Sequence, residues 1–239
     1  MHMQNKTIVI TGASDGIGKQ IALRLAKENA NLILLARSQE KLDQTAAEIA
    51  QLTKSPVSAY SCDLRNKEEI DSTVDRIVSE HDSIDCLIND AGIWQKMNQL
   101  DSIPDDEIIS VIQTNMTGLI LLTKQLLPTI KKSADGSIIN IISRSGYSAQ
   151  EGQSVYTASK YGVKGFTEVL RQDLKDTHVK VAGIYQGGTN TNMFKKAGEA
   201  IPEEKYASFI PPEGIADVVA YMLNLPKNVW LPEVKIETK

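Results

Sequence analysis

The sequence predicts an α/β fold: a doubly wound parallel sheet of about seven strands with helices on both faces. Three observations predict it. Short β-branched and aliphatic runs alternate with longer amphipathic ones from residue 7 to residue 236. The short runs are apolar throughout, as strands buried on both faces must be. The first short run passes into the first amphipathic one through a glycine-rich turn, T-G-A-S-D-G-I-G at 11–18.

Each element follows in chain order. T-I-V-I-T (7–11) is the first strand. Ile17, Ile21, Leu25 and Ala26, with charges between them, predict a helix over 17–29. N-L-I-L-L-A (31–36) is the second strand, and Leu42, Ala46, Ile49 and Leu52 set the apolar face of a helix over 39–53. P-V-S-A-Y-S-C (56–62) is the third strand. Ile70, Val74, Ile77 and Val78 mark the third helix at 67–80. D-C-L-I-N (85–89) is the fourth strand, followed by one long helix from about Asp105 to Lys131. S-I-I-N-I-I (137–142) is the fifth strand, a helix covers about Ser154 to Asp176, and V-K-V-A-G-I-Y (179–185) is the sixth strand. A helix at 212–224 and a strand near 229–236 close the chain. The one long irregular stretch, 187–211, is rich in Gly, Asn, Lys and Pro, and a loop of that length in a compact domain is expected to be a lid or binding loop. With no repeats and no linker, residues 1–239 read as one domain.

Composition narrows the function. A net charge of −4 argues against a nucleic-acid partner, which calls for a basic face. No apolar stretch approaches a membrane span. The initial M-H-M-Q-N-K lacks the apolar core of a signal peptide, so a cytoplasmic protein is expected. Cys62 and Cys86 each lie in a strand-like run and read as small buried thiols rather than a disulfide. His2, His81 and His178 are scattered, so neither a metal site nor a Ser–His–acid triad is expected.

The turn after the first strand carries Gly12, Gly16 and Gly18. Glycines let backbone approach a pyrophosphate, and the helix N-terminus beyond offers free N–H groups and a favourable dipole. That is the anion site of a Rossmann-type, dinucleotide-binding sheet. The end of the second strand then selects the cofactor. An acid there would bind the ribose hydroxyls of NAD, but the strand ends L-L-A-R-S. Arg37 is placed to clamp a 2′-phosphate, so NADP (NADPH) is expected; Asp15 opposes this by putting a negative charge in the loop.

T-G-A-S-D-G-I-G, N-D-A-G (89–92), the Asn of Q-T-N-M-T-G (113–118), N-I-I-S-R-S-G (140–146) and Y-T-A-S-K (156–160) occur in this order. Together they are similar to the short-chain dehydrogenase/reductase family over residues 7 to about 236. The resemblance implies Ser143, Tyr156, Lys160 and Asn115 as catalytic residues. It implies cofactor contacts from Gly12, Ser14, Asp15, Gly16, Ile17 and Gly18, from Asp63 and Leu64, and from Asn89, Ala91 and Gly92. Tyr156, Lys160, Gly187, Thr189 and Thr191 complete that set. Three positions depart from the family pattern: Asp90 replaces the second Asn of N-N-A-G, Gln186 replaces a Pro, and Asp15 stands where NADP-using members often carry Lys or Arg. Gln186 is expected to loosen the turn beside the nicotinamide.

The chemistry suits those residue types. Reducing a carbonyl leaves an alkoxide to be protonated, and a tyrosine serves as acid if a cation pulls its pKa toward neutrality. Lys160, one helical turn on, is expected to do that and to hold ribose hydroxyls. Ser143 would stabilise charge on the substrate oxygen, and Asn115 would anchor a proton-relaying water. Ser145 and Ser148 lack the family spacing, Arg144 reads as solvated or paired, and Tyr161 as packing.

The substrate site is expected between Trp94 and Gln95, residues 147–153, and the lid, whose Met193, Phe194, Phe209 and Ile210 are apolar and Lys195, Lys196 and Lys205 basic. The C-terminal end is more similar to the branch with 3-hydroxy acid dehydrogenases and sepiapterin-type reductases. A 3-hydroxy acid or broad ketone/aldehyde substrate is therefore expected, with 3-oxoacyl-(acyl-carrier-protein) reduction as the alternative. A non-catalytic NADP-binding regulator would be expected to lack Tyr156 or Lys160. Members of the family pair through helices matching 105–131 and 154–176, which implies a homodimer or homotetramer.

Overall fold

A computed structural model describes residues 3–239; His2 lies outside the described residues. The strands are β1 (Thr7–Thr11), β2 (Asn31–Ala36), β3 (Val57–Ser61), β4 (Cys86–Asn89), β5 (Ser137–Ile141), β6 (Lys180–Gln186) and β7 (Glu233–Ile236). They form one parallel sheet in the order β3-β2-β1-β4-β5-β6-β7. The helices are α1 (Gly16–Ala26), α2 (Gln39–Ala50), α3 (Lys67–Glu80), α4 (Asp105–Ile112), α5 (Gly118–Ile130), α6 (Ser154–Asp173), α7 (Met193–Lys196), α8 (Glu203–Ala207) and α9 (Pro212–Leu223). The fold class is the one the sequence predicts.

Two cores flank the sheet. Ile8, Ile10, Leu32 and Leu34 face α1 and α9, while Val9, Ile33, Leu35 and Leu87 face α3 and α5. This is the pleat of buried strands, whose successive side chains point to opposite faces. Chain order reverses between β1 and β4, so a crevice opens at their carboxyl ends, where such sheets bind ligands.

Buried amides tie the second half of the sheet to its helices. Asn89 Nδ2 donates to Thr123 Oγ1 on α5 (3.0 Å) and to Asn140 Oδ1 on β5 (2.9 Å). Asn140 Nδ2 donates in turn to Thr167 Oγ1 on α6 (2.8 Å).

The structure corrects several expectations. The helix expected from Asp105 to Lys131 is interrupted by a π-helical turn at Gln113–Thr117, which holds Asn115. Leu52 and Val78 are exposed rather than core, because each falls at the fraying or outer edge of its helix. Tyr161 is 43% exposed, so it is not packing. Cys62 is buried but lies one residue past β3, and the last strand begins at Glu233. The 187–211 stretch contains the short helices α7 and α8. Gln186 does not loosen its turn: it pairs with Ile236 as the last residue of β6, and Gly187 N donates to Ile236 O (2.8 Å).

Gly118, at the start of α5, lets that helix pack on the loop after β3, since a Cβ there would collide with the carbonyl oxygen and Cβ of Leu64. Gly118→Ala is therefore expected to cost about 1–3 kcal/mol through overpacking, despite alanine's better helix propensity. A fall in the chemical-denaturation midpoint checks this; unchanged stability would contradict the close approach.

Candidate active site

The crevice is a cleft of about 830 Å³. One end is built by the turn between β1 and α1. Gly12 has φ +71°, and a Cβ there would stand 3.1 Å from the Ala91 backbone. Gly16 has φ +54°. Both positions favour glycine on backbone grounds. Asp15 caps α1 by accepting from Gly16 N (2.8 Å) and meets Lys196 Nζ of α7 at 2.6 Å, with Asn192 Nδ2 at 3.4 Å. Burial opposes ionisation of Asp15, but Lys196, the Gly16 N–H and Asn192 together hold its carboxyl below the usual range.

Gly12, Ser14, Asp15, Gly16 and Ile17 all line this end of the cleft, as do Asp63, Leu64, Ala91 and Gly92. Arg37 lines it at the end of β2, and Lys41, on the first turn of α2, joins it. Neither cation has a salt-bridge partner among the described residues. Sequence reasoning missed Lys41; its signal was the four-residue spacing from Arg37 across the Ser38 helix cap. The Asp63 carboxylate is held by Arg65 (2.5 Å), which keeps its pKa low.

Gly18 and Asn89 do not line the cleft. Gly18 is the close-packing glycine of the turn, where a Cβ would come within 2.6 Å of Gly12 O. Asn89 turns its amide into the chain described above. The Thr11 hydroxyl, also missed from sequence, accepts from the N–H groups of Asp90 and Ala91 (3.0 Å each) and so fixes the turn after β4 against β1.

At the other end stand Ser143, Tyr156 and Lys160. Ser143 follows β5 with φ +111°, a strained backbone for a residue with a side chain and the kind that concentrates at functional sites. Its hydroxyl accepts from Ser145 N at 3.2 Å and stands near the Tyr156 phenol, whose ionised form it favours. Lys160 Nζ lies 5.7 Å from the Tyr156 ring centroid and donates to Ile141 O at 3.2 Å. Burial pushes the Tyr156 phenol up to about 12, eased by Ser143 and reinforced by Asp90. This corrects the expectation that Lys160 draws the phenol toward neutrality: desolvation wins in the protein alone. Burial lowers Lys160 to about 8, against the opposing pull of Asp90.

Asn115 is fully buried behind the cleft wall. Its Oδ1 accepts from Ile93 N (2.8 Å), and its Nδ2 donates to Ile93 O (3.0 Å) and Ser159 Oγ (3.2 Å). The amide thus grips the loop after β4 rather than reaching Lys160. π-Turns of this kind recur at functional sites.

The outer wall is aromatic. The Trp94 ring lies 4.5 Å from that of Tyr156 and 4.8 Å from that of Phe194 on α7, and Phe209 is 5.7 Å from Phe194. Gly187, Thr189, Thr191, Met193 and Lys205 also line the cleft, whereas Lys195 and Ile210 do not. Arg144 lines it without a salt-bridge partner among the described residues. Gln95 does not line the cleft. It is fully buried, and its Oε1 accepts from Val155 N (3.0 Å) and Tyr156 N (3.1 Å). It caps α6, whose own cap residue, Gln153, makes no such bond. Among the described residues no His/Cys/Asp/Glu cluster could hold a metal, and no helix is long and apolar enough to cross a membrane.

Known proteins share this architecture. The family model for short chain dehydrogenases matches residues 6–202. An uncharacterised oxidoreductase of Staphylococcus aureus (strain USA300) is 32% identical over 234 residues, covering 98% of this chain and 97% of its own. An alcohol dehydrogenase of the archaeon Thermococcus sibiricus, complexed with 5-hydroxy-NADP, superimposes with a TM-score of 0.88 at 25% identity, over 98% of this chain and 96% of its own. An actinorhodin polyketide ketoreductase with NADPH gives 0.87 at 27% identity, with the same two coverages of 98% and 96%.

Removing the Gln95 cap tests how α6 is seated. Gln95→Leu strands two buried N–H groups and is expected to cost about 1–3 kcal/mol, read as a lower denaturation midpoint. Gln95→Glu keeps the acceptor and should recover part of the loss; equal loss in both variants would argue against the cap.

Proposed function

Because this chain belongs to the short-chain dehydrogenase family and is an oxidoreductase of that family, we propose that it is NADP(H)-dependent and interconverts a carbonyl and an alcohol on a small molecule. The observation that carries the reading is the meeting, in one cleft, of the Ser143–Tyr156 hydroxyl pair, Lys160 and the glycine turn.

The residues fit the cofactor. The glycine turn lines the cleft with backbone in conformations that side chains disfavour, and α1 presents its N-terminus beside it. Arg37 and Lys41 supply two free cations where a 2′-phosphate would lie, which supports NADP over NAD. When bound, NADPH supplies the hydride.

The remaining work belongs to the protein. Ser143 and Tyr156 hydrogen-bond the substrate oxygen and stabilise the charge that develops there. A phenol held at about 12 in the protein alone keeps its proton at neutral pH, and that proton passes to the more basic alkoxide, which supports reduction as the working direction. Lys160 holds positive charge behind the phenol. Asn115 acts through Ile93, keeping the loop after β4 in place beside the reacting groups. Residues 187–211 form the lid, and Trp94, Phe194 and Phe209 give the substrate an apolar wall, which supports a ketone, aldehyde or 3-hydroxy acid of modest size. Ile109 on α4 and Val169 on α6 are exposed apolar residues on the helices expected to pair, which supports a homodimer or homotetramer.

NADPH oxidation against ketones, aldehydes, 3-oxo acids and 3-oxoacyl thioesters tests the activity and its substrate. Tyr156→Phe is expected to lower turnover by about 10²–10⁴-fold, the usual worth of a general acid, while NADPH still binds. Unchanged turnover would remove Tyr156 from the reaction. Arg37→Gln and Lys41→Gln should each raise the KM for NADPH about tenfold or more and leave NADH unaffected; equal effects on both cofactors would overturn the 2′-phosphate assignment.

A further inference from the structure

The stretch read above as the lid, residues 187–211, is closed at its base by main chain. Ile210 N donates to Gly188 O (2.8 Å) and Asn190 N to Ile210 O (2.9 Å), so Thr189 and Ile210 meet in a parallel bridge. From Thr191 to Phe209 the segment is tied to the body of the protein differently. Among the described residues, every hydrogen bond that leaves it goes to one of two places. One is the Asp15 carboxylate on the glycine turn. The other is Met97 N, in the loop after β4, which donates to Glu199 Oε2 at 2.8 Å.

Asp15 divides its two oxygens between these parts. Oδ1 accepts from Gly16 N (2.8 Å) and belongs to the first turn of α1. Oδ2 accepts from Lys196 Nζ (2.6 Å) at the end of α7, and Asn192 Nδ2 stands 3.4 Å from both oxygens. The Asp15 and Lys196 side chains are 30% and 55% exposed, so solvent weakens the pair enough for it to part and re-form. Two residues before Lys196, Phe194 leaves the same helical turn on another side and lies 4.8 Å from the Trp94 ring. One short helix thus touches both walls of the cleft: the glycine turn, and the aromatic wall beside Tyr156.

We propose that Asp15, Asn192 and Lys196 form a latch that holds α7 across the cleft, and that NADPH leaves after this latch opens. The release step rests on the NADP reading above; the latch itself does not. Asp15 is a departure visible in the sequence, an acid where NADP-using relatives often carry a cation. A cation there would repel Lys196, whereas the acid holds it. The charge that a phosphate disfavours is used to hold the lid down, and the lysine that answers it keeps this part of the turn close to neutral. Because Phe194 travels with Lys196, opening the latch also uncovers Trp94, so the cofactor end and the substrate end are shut by one movement.

The latch has a readout that needs no cofactor. The chain carries 2 tryptophans, so a Trp230→Phe background leaves Trp94 as the one reporter. In that background Asp15→Asn with Lys196→Met should raise the open fraction about two- to fivefold, the shift that loss of a part-exposed ion pair allows. Stronger acrylamide quenching of Trp94 measures it. Asparagine still accepts from Gly16 N and keeps the α1 cap, so the Tm should hold while the quenching rises. Lys196→Arg keeps the cation and should quench as the unsubstituted lid does. Equal quenching with and without the pair overturns the latch.

NADPH release, followed by stopped-flow fluorescence on mixing with excess NADP, tests the consequence. The double variant loses one charge of each sign, so the net charge facing the cofactor is that of the wild type. Its release should be about two- to fivefold faster than wild type at about 20 mM salt and should match it at about 0.5 M, where the ion pair is screened. Equal rates at low salt, or a difference that salt leaves unchanged, overturn the control of release. Stronger quenching in a chain that binds no NADPH would sink the NADP reading, and the release step with it, while leaving the latch in place.

Discussion

The position of the reacting groups depends on one chain of buried amides. Asn89 on β4 reaches Thr123 on α5 and Asn140 on β5, and Asn140 reaches Thr167 on α6. Apolar packing alone lets a helix slide along a sheet, because dispersion and hydrophobic burial have little direction. Hydrogen bonds inside the core do have direction, and leaving one unmade there is costly. The chain thus sets the register of α6 on β5, two turns past Lys160 and three past Tyr156. Gln95 fixes the opposite end of the same helix through the N–H groups of Val155 and Tyr156. Held at both ends, α6 presents its Tyr and Lys to a serine that arrives from the end of β5 on a strained backbone.

Most of the fold was legible because a buried parallel sheet writes itself as repeated apolar runs: the first six strands fell where those runs stood, while β7, a half-exposed edge strand, took only the end of the stretch expected for it. What period alone missed was local. The π-turn at Gln113–Thr117 adds one residue per turn without changing which residues are apolar, so 105–131 reads as an unbroken helix. Leu52 and Val78 fit a helical stripe yet sit at its ends or edge, where little covers them. At the site, Gly12, Ser143, Tyr156 and Lys160 were legible from ordered short motifs. The capping role of Gln95 and the contacts of Thr11 were not, because their partners lie on other elements, and spacing along the chain carries no trace of a contact across 60 or 79 residues. Asp90 was visible as a departure, but its hydrogen bond from Gly18 N required three dimensions.

The cleft also resolves the conflict between Asp15 and an anionic cofactor. Two carboxylates, Asp15 and Asp90, stand at the end of α1 proposed to receive phosphate: Asp15 accepts from Gly16 N and Asp90 from Gly18 N. Asp15 is part-exposed and meets Lys196 directly, so its charge is answered by an ion pair that solvent also screens. Asp90 has no such direct partner, and the protein around it makes ionisation expensive. The two acids therefore differ in kind. One is a carboxylate throughout the neutral range and ties the glycine turn to α7. The carboxyl of the other is raised by burial, against the Gly18 N–H that it accepts. On the proposed reading, the third phosphate of NADP would lie by Arg37, at the end of β2, and Lys41, on the first turn of α2. The proposed preference for NADP thus rests on the end of β2, and Asp15 does not oppose it because its charge is met by Lys196.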